Sequence, residues 1–272
     1  MATYTTERVT GVRHWSPKLF SFCTTRSASL RFENGQFLMI GLDIAGRRVV
    51  RAYSIASPNY ADELEFYSII VARGPLTSRL CQVEPGDEIL VSNKPTGTLV
   101  LRDLRPGRRL FLLATGTGMA PFAALIRDPE TYERFERIVL VRGGRTHEDL
   151  GYGDELLRRL HADPYLGEPA RRQLHDYAAL TREPFARVGR ITALMSAGRV
   201  CQELGLAPLD PREDRVMVCG NVHMLADVRA LLEERGFTVS PGIGCPGDYV
   251  FERAFVEAVE LHAAPVRRAG AG

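Results

Sequence analysis

Short hydrophobic runs alternate with turn-forming residues over the first hundred positions of the chain. The runs are rich in β-branched and aromatic side chains, and turn signals such as Asn34-Gly35 and Pro85-Gly86 separate them. This pattern predicts a short helix at 77–82 and five strands, at 30–32, 37–41, 47–54, 64–71 and 88–91. Several short strands with turns between them are typical of a small antiparallel barrel or sandwich.

The rhythm changes after Pro106-Gly107, which indicates a linker. Apolar strand-length runs now alternate with amphipathic helical segments, with strands predicted at 109–114, 138–142, 177–181 and 215–219 and helices at 119–126, 154–161, 191–198 and 224–235. Such alternation predicts a parallel sheet covered by helices on both faces. We therefore expect one domain over 1–104, an α/β domain over 105–257 and a flexible tail over 258–272.

Composition and charge narrow the class of protein. The chain has 272 residues, 45% of them hydrophobic, which is enough for two domains with buried cores. Its 35 Lys and Arg against 33 Asp and Glu argue against a strongly basic nucleic-acid-binding protein. No apolar run approaches the roughly 18 residues of a membrane-spanning helix, and the first residues lack the apolar block of a secretory signal. We expect a cytoplasmic protein that binds neither nucleic acid nor membrane.

The cysteines and histidines show no metal-binding spacing. The five cysteines include no C-x-x-C pair, and the six histidines form no H-E-x-x-H motif. We expect no metal site, so any redox chemistry would rest on an organic cofactor.

A glycine-rich turn follows the first predicted strand of the second half, in the segment FLLATGTGMAPF. Gly116 and Gly118 would let backbone N–H groups approach an anion, and Pro121 suits a first helical turn. A plain tight turn is the alternative interpretation of this G-x-G-x-x-P pattern.

Two segments of the first half carry further candidate chemistry. In RAYSIASP, Arg51 offers a fork of donors to a phosphate, Tyr53 a face for stacking, and Ser54 a hydroxyl for a ring nitrogen. In ARGPLTSRL, a Gly-Pro turn is followed by the hydroxyls of Thr77 and Ser78, which could cradle a pyrophosphate. An ordinary strand and a simple capped turn are the respective alternatives.

Taken in order, and with Cys219-Gly220-Asn221 after a late strand, these motifs resemble the ferredoxin–NADP(+) reductase family, in its bacterial flavodoxin/ferredoxin branch. The resemblance covers about residues 5–257. It implies an N-terminal antiparallel FAD-binding β-barrel of Greek-key topology and a C-terminal parallel-sheet α/β domain for NADP(H). The implied activity is hydride transfer between NADPH and flavin N5, with single electrons passing to or from ferredoxin or flavodoxin.

The resemblance also implies roles for individual residues. Ser54 would hydrogen-bond near flavin N5, Cys219 would lie beside the nicotinamide, and Glu252 is a candidate proton source. The implied FAD contacts are Arg51, Ala52, Tyr53, Ser54, Tyr67, Pro75, Leu76, Thr77, Thr117, Ala254 over the isoalloxazine and Phe255 on the adenine. The implied NADP contacts are Gly116, Gly118, Arg145, Thr181, Arg182, Arg190, Gly220 and Asn221.

Three of these residues would select NADPH over NADH. Arg145, Arg182 and Arg190 come at or soon after the carboxyl ends of predicted strands and match family positions that grip the 2′-phosphate. A solvated surface arginine is the alternative for any one of them.

Two other functions remain open at this point. The first is an NADH-linked reductase component of an oxygenase system, which the absence of cluster-spaced cysteines and the three arginines disfavour. The second is a flavin-binding regulatory module, which the presence of both cofactor motifs disfavours.

Partners follow from charge. Ferredoxins and flavodoxins are acidic, so we expect a basic docking face, for which the candidates are Arg13, Lys18, Arg47, Arg48 and Lys94. We also expect the protein to be a monomer. The last residues extend beyond the usual family ending, and we expect deletion of 259–272 to leave flavin retention and NADPH kinetics unchanged.

Overall fold

The first half of the chain forms an antiparallel barrel. A computed structural model describes residues 3–71 and 74–254. Six strands line up in the order β4-β3-β6-β1-β2-β5, and a bridge between Ile55 and Phe66 joins the two ends of this sheet. The strands are β1 (Tyr4–Ser16), β2 (Leu19–Thr24), β3 (Phe37–Ile44), β4 (Arg47–Ser54), β5 (Leu64–Ile69) and β6 (Glu88–Ser92), with helix α1 (Thr77–Leu80) before the last. The antiparallel barrel is confirmed, and β6 lies between β3 and β1 as in a Greek key.

Alternation along the strands fills the barrel with apolar side chains. Leu38 and Ile40 on β3 are fully buried, as is Phe66 on β5. The Phe22 ring lies 5.3 Å from that of Phe66. The opposite positions of the same strands face solvent or the second half of the molecule.

The predicted strand at 30–32 was wrong. Leu30 and Phe32 are buried in the barrel core, but their backbone is irregular. No neighbouring strand among the described residues pairs with this segment. The Arg26 guanidinium instead donates to the carbonyl oxygens of Leu30, Asn59 and Ala61 at 3.0, 2.8 and 2.7 Å. These carbonyls are therefore satisfied by a side chain instead of a ladder.

Two barrel strands were not predicted. β1 carries many polar residues, and β2 is an almost continuously buried run. Their strand conformation depends on pairing, since β1 lies between β2 and β6.

The second half contains a five-stranded sheet in which every pair is parallel. The order is β11-β10-β7-β8-β9, so the direction of winding reverses between β7 and β10. The strands are β7 (Arg109–Thr115), β8 (Arg137–Gly144), β9 (Leu174–Leu180), β10 (Asp214–Gly220) and β11 (Tyr249–Arg253). In a sheet of this type, ligands bind in the crevice at the carboxyl ends of the strands where the order reverses.

Helices cover both faces of this sheet, as predicted. They are α2 (Met119–Leu125), α3 (Pro129–Arg134), α4 (Gly151–His161), α5 (Gly167–Gln173), α6 (Ile191–Ser196), α7 (Arg199–Glu203) and α8 (Val222–Glu234). Helices α2 to α5 pack on one apolar cluster and α6 to α8 on another. The four predicted strands and four predicted helices of this half are confirmed, whereas β11 and helices α3, α5 and α7 were not predicted.

One apolar cluster joins the two halves. Leu19, Ala56 and Tyr67 of the barrel belong to the same cluster as Met119 and Phe122 of α2. The carboxyl ends of β7 and β10 consequently lie close to the outer surface of the barrel. No helix within 3–71 and 74–254 is long and apolar enough to cross a membrane. The domain boundary after residue 104 stays a prediction.

Candidate cofactor site

The glycine-rich turn lies at the point where the strand order reverses. It joins β7 to α2 and packs against the end of β10. A Cβ on Gly118 would meet the carbonyl oxygen of Cys219 at 2.0 Å, so only glycine fits there. Gly116 has a φ of 53° and open space around its Cα. The turn therefore presents backbone to the crevice, as an anion-binding turn must.

The last strand brings Glu252 to this crevice. Residues Cys219 and Glu252 are neighbours in the β10–β11 register, and the backbone N–H of Ala254 donates to Gly220 O at 3.0 Å. One Glu252 oxygen accepts hydrogen bonds from the backbone N–H and the hydroxyl of Thr98, at 2.5 and 3.2 Å. Glu252, Cys219 and the barrel segment at Thr98 thus meet in one place.

Burial sets the protonation of both side chains. Burial raises the pKa of Glu252 to about 6, although its bonds to Thr98 act in the opposite direction. The Cys219 side chain is fully buried, and burial raises the pKa of its thiol well above the usual range. A carboxyl group that titrates near pH 6 therefore lies beside an un-ionised thiol.

The end of β4 supplies the barrel side of the site. Arg51 and Ala52 are exposed, whereas Tyr53 and Ser54 are half-buried. The Tyr53 ring packs edge-on against Phe66, and its hydroxyl oxygen accepts a hydrogen bond from Ser68 at 3.3 Å. The exposed guanidinium and the half-buried ring and hydroxyl fit a flavin nucleotide with its phosphates toward solvent.

The turn before α1 uses its hydroxyls internally. The Thr77 hydroxyl contacts the backbone N and O of Val71 at 3.2 and 3.3 Å, and Ser78 donates to Gly74 O at 2.7 Å. Leu76 and Thr77 are buried and Pro75 is exposed. These contacts favour the capped-turn interpretation for the two hydroxyls and leave backbone groups as the means of contacting a pyrophosphate.

Tyr67 lies in the seam between the halves. Its ring stacks on that of Tyr152, with ring centres 4.1 Å apart. Only 3% of Tyr67 is exposed, and its hydroxyl has no hydrogen-bond partner within the described part of the chain. It lines a small cavity with Gly116, Met119 and Asp149, so it borders the crevice next to the glycine-rich turn.

Three arginines gather beyond the ends of β8 and β9. The N–H of Thr181 donates to Gly144 O at 3.1 Å and that of Arg182 to Arg145 O at 2.9 Å, which sets these segments side by side. Arg190 begins α6, and the adjacent Gly189 N–H donates to Leu180 O. All three arginines are exposed, and none forms an ion pair with any residue that the structure describes. Their side chains are therefore available to an anionic ligand.

Some neighbours of the site were not predicted. Arg142 is buried at the end of β8, where it makes two bonds of 2.7 Å to Asp176 and one of 2.8 Å to Asp154. Tyr152 on α4 lines the same cavity. A charged residue at the end of the apolar run IVLVR was the available signal for Arg142.

The remaining sequence-based assignments fall into two groups. Thr117 and Ala254 border the crevice and are half-buried, while Asn221 follows β10 and is exposed. Phe255 lies outside the described residues. Among residues 3–71 and 74–254, no cluster of three or more His, Cys, Asp or Glu side chains could hold a metal ion.

Comparison with known proteins gives a consistent result for both halves. Residues 11–100 match the oxidoreductase FAD-binding domain and residues 112–230 the oxidoreductase NAD-binding domain. A ferredoxin–NADP reductase of Pseudomonas aeruginosa is 53% identical over 257 residues, covering 94% of this chain and all of that protein. One from Azotobacter vinelandii is 52% identical, also over 94% of this chain and all of its own length.

A solved structure agrees with the fold. The crystal structure of a ferredoxin NADP+ reductase from Neisseria gonorrhoeae, with bound FAD and NADP, superposes with a TM-score of 0.84 at 30% identity. The match covers 94% of this chain and all of the other.

Proposed function

Since this chain belongs to the ferredoxin–NADP reductase family, we propose that it is an FAD-dependent reductase that carries electrons between NADPH and ferredoxin or flavodoxin, with its reaction centre in the crevice between β7 and β10. The observation that carries this placement is the meeting of three segments at one point. These are the barrel segment at Thr98, the turn at Gly116–Gly118, and the pair of Cys219 and Glu252.

Each half holds one cofactor. When bound, FAD and NADP(H) supply the hydride and single-electron chemistry, and the protein supplies binding, orientation and electrostatics. Arg51 binds the FAD phosphates, Tyr53 packs on the flavin, and the Ser54 hydroxyl bonds near N5. Their placement at the end of β4, where Arg51 is exposed and Tyr53 and Ser54 are half-buried, supports these roles.

Glu252 holds the exchangeable proton of the site. Its pKa of about 6 lets it gain or lose a proton near physiological pH, and Thr98 fixes the position of its carboxyl group. Cys219 contributes a compact buried wall beside the nicotinamide and does not act as a nucleophile, since burial keeps its thiol protonated.

The arginines select the phosphorylated dinucleotide. Arg145, Arg182 and Arg190 bind the 2′-phosphate of NADPH, and Thr181 and Asn221 contact the remainder of the nucleotide. The unpaired guanidinium groups at one corner of the sheet support this assignment, because a phosphate needs such donors.

A comparison of NADPH with NADH as reductant tests the proposal. Anaerobic NADPH should bleach the purified yellow protein, and NADPH should be used far more efficiently than NADH. Arg182→Ala should raise KM for NADPH much more than KM for NADH, because only the former carries the 2′-phosphate. Equal effects on the two would contradict the arginine assignment, and equal efficiency of the wild type with both would favour an NADH-linked reductase of an oxygenase system.

The acceptor docks on a basic part of the barrel. Arg13 and Lys18 lie near the β1–β2 turn, and we assign the docking to this end of the barrel. Arg48 lies over the Tyr4 ring at the other end of β1, where Lys94 follows β6; these residues and Arg47 are exposed as well. Acidic partners would be steered to such a surface. We also assign a monomeric, cytoplasmic state to the protein, which light scattering and fractionation test.

A further inference from the structure

Four side chains form a connected group in the seam between the halves, here called the seam cluster: Glu65, Tyr67, Arg127 and Tyr152. Glu65 and Tyr67 lie on β5, whereas Arg127 follows α2 and Tyr152 belongs to α4. The two Glu65 oxygens accept hydrogen bonds from the Tyr152 hydroxyl and from an Arg127 Nη, each at 3.1 Å. Tyr152 in turn stacks on Tyr67. The cluster therefore bonds the barrel directly to two helices of the second half.

The cluster is attached to the barrel segment that follows Ser54 and to helix α2. Arg127 donates to Ala56 O at 2.6 Å and to Ala123 O at 2.9 Å. Ala56 comes two residues after Ser54, and α2 begins directly after the turn at Gly116–Gly118. Arg127 consequently connects the end of this helix to the strand end that carries Ser54.

The bonds of the cluster are partly shielded from water. Tyr152 is 3% exposed, and the side chains of Glu65 and Arg127 are 21% and 23% exposed. Burial raises the pKa of Tyr152 well above its usual range, so its hydroxyl remains a donor at physiological pH. Charge-assisted hydrogen bonds at such a site hold their partners in one geometry.

We propose that Glu65 and Tyr152 are positioning residues for the reductase reaction, because their bond fixes the Ser54 strand end relative to the Gly116–Gly118 turn. This inference rests on the proposed placement of the flavin at the first element and of the nicotinamide at the second. Hydride transfer needs reacting atoms within van der Waals contact, and a misplacement of about 1 Å costs on the order of 100-fold in rate.

Two variants and a matched control test this role. Tyr152→Phe keeps the stacked ring and removes the bond to Glu65, and Glu65→Gln removes the carboxylate. Tyr132→Phe is the control, since the buried Tyr132 hydroxyl donates to Ile126 O at 2.6 Å entirely within the second half. All three variants remove a hydrogen bond of a side chain that is mostly buried.

The measurements are made on FAD-loaded protein. Stopped-flow bleaching by saturating NADPH gives the hydride-transfer rate, and hydrogen exchange of segments 52–56 and 116–123 reports on the two elements directly. Tyr152→Phe and Glu65→Gln should slow bleaching about tenfold and speed exchange in both segments. Tyr132→Phe should lower Tm without slowing bleaching or speeding exchange at 52–56.

The outcomes separate this proposal from the one on which it rests. If wild-type protein is bleached and the two seam variants match Tyr132→Phe in rate and exchange, the positioning role is wrong and the proposed function stands. If NADPH fails to bleach wild-type protein that retains FAD, the proposed function is wrong and the positioning role with it.

Discussion

Burial decides what individual charged residues do in this protein. Glu252 keeps two hydrogen bonds to Thr98, yet loss of hydration dominates and its pKa rises. Arg142 is more deeply buried and stays charged, because Asp176 and Asp154 face it on two sides. Two buried charged residues thus differ in behaviour because only one has partners of opposite charge.

The raised pKa of Glu252 makes stability depend on pH. The folded protein holds the proton up to about pH 6, against 4.5 for the ordinary carboxyl group, so stability falls as pH rises through this window. Glu252→Gln should remove this dependence. The unfolding free energy of wild type relative to Glu252→Gln should fall by about 2 kcal/mol between about pH 4 and pH 7. Denaturant titrations at several pH values measure it, and a constant difference would contradict the assignment.

Arg142 should be important for stability. Arg142→Ala leaves a void and removes three hydrogen bonds to carboxylates, so we expect a loss of about 2–3 kcal/mol in the unfolding free energy. Arg212→Ala is the control, because its ion pair with Asp210 lies in solvent and its guanidinium is 86% exposed. The control should leave the denaturation midpoint unchanged. Similar midpoints for both variants would show that the ion pairs of Arg142 contribute little.

At the scale of elements, the loops that lead from parallel strands into helices contain both the helix caps and the candidate cofactor site. Asn221 follows β10 and accepts hydrogen bonds from the backbone N–H groups of His223 and Met224, at 3.0 and 3.1 Å. The same residue is proposed to contact NADP, so the observed capping role and the proposed binding role can be tested separately.

Two substitutions separate these roles. Asn221→Ala removes the cap of α8 and should cost about 1 kcal/mol of stability. Asn221→Asp keeps the cap but brings a negative charge to the nucleotide, so it should preserve Tm and raise KM for NADPH. Thermal unfolding and steady-state kinetics give the two readouts. An unchanged KM in Asn221→Asp would confine Asn221 to capping.

At the scale of the whole molecule, the surface charges are nearly balanced. The formal net charge is +2, so long-range attraction of an acidic partner must come from local groups such as Arg13 and Lys18. The Arg13 guanidinium also lies 3.9 Å over the Trp15 ring, which restricts its motion and places its charge close to the seam.

Acceptor reduction should accordingly depend on salt. The second-order rate constant for an acidic ferredoxin should fall at least several-fold between about 20 and about 500 mM NaCl, while that for a neutral quinone changes little. Lys18→Glu should reproduce part of this loss at low salt. Stopped-flow measurements with both acceptors test this prediction. An equal salt dependence of the two rate constants would exclude docking at Arg13 and Lys18.

The sequence by itself determined the four inner alternations of strand and helix in the second half and the motifs of the crevice. Apolar strands such as β7 and β8 are buried on both faces, so their composition reveals them without knowledge of neighbours. The glycines at 116 and 118 were equally visible, because Gly116 has a positive φ and Gly118 packs against the end of β10.

Only the tertiary structure decided features that depend on partners distant in the chain. The polar strand β1 exists because β2 and β6 pair with it, and in the irregular segment 30–32 the Leu30 carbonyl oxygen accepts a hydrogen bond from the Arg26 side chain instead of a strand. The bond of Glu65 to Tyr152 spans 87 positions, and that of Glu252 to Thr98 spans 154. Burial and pairing of this kind are properties of the folded chain, so no local pattern could reveal them.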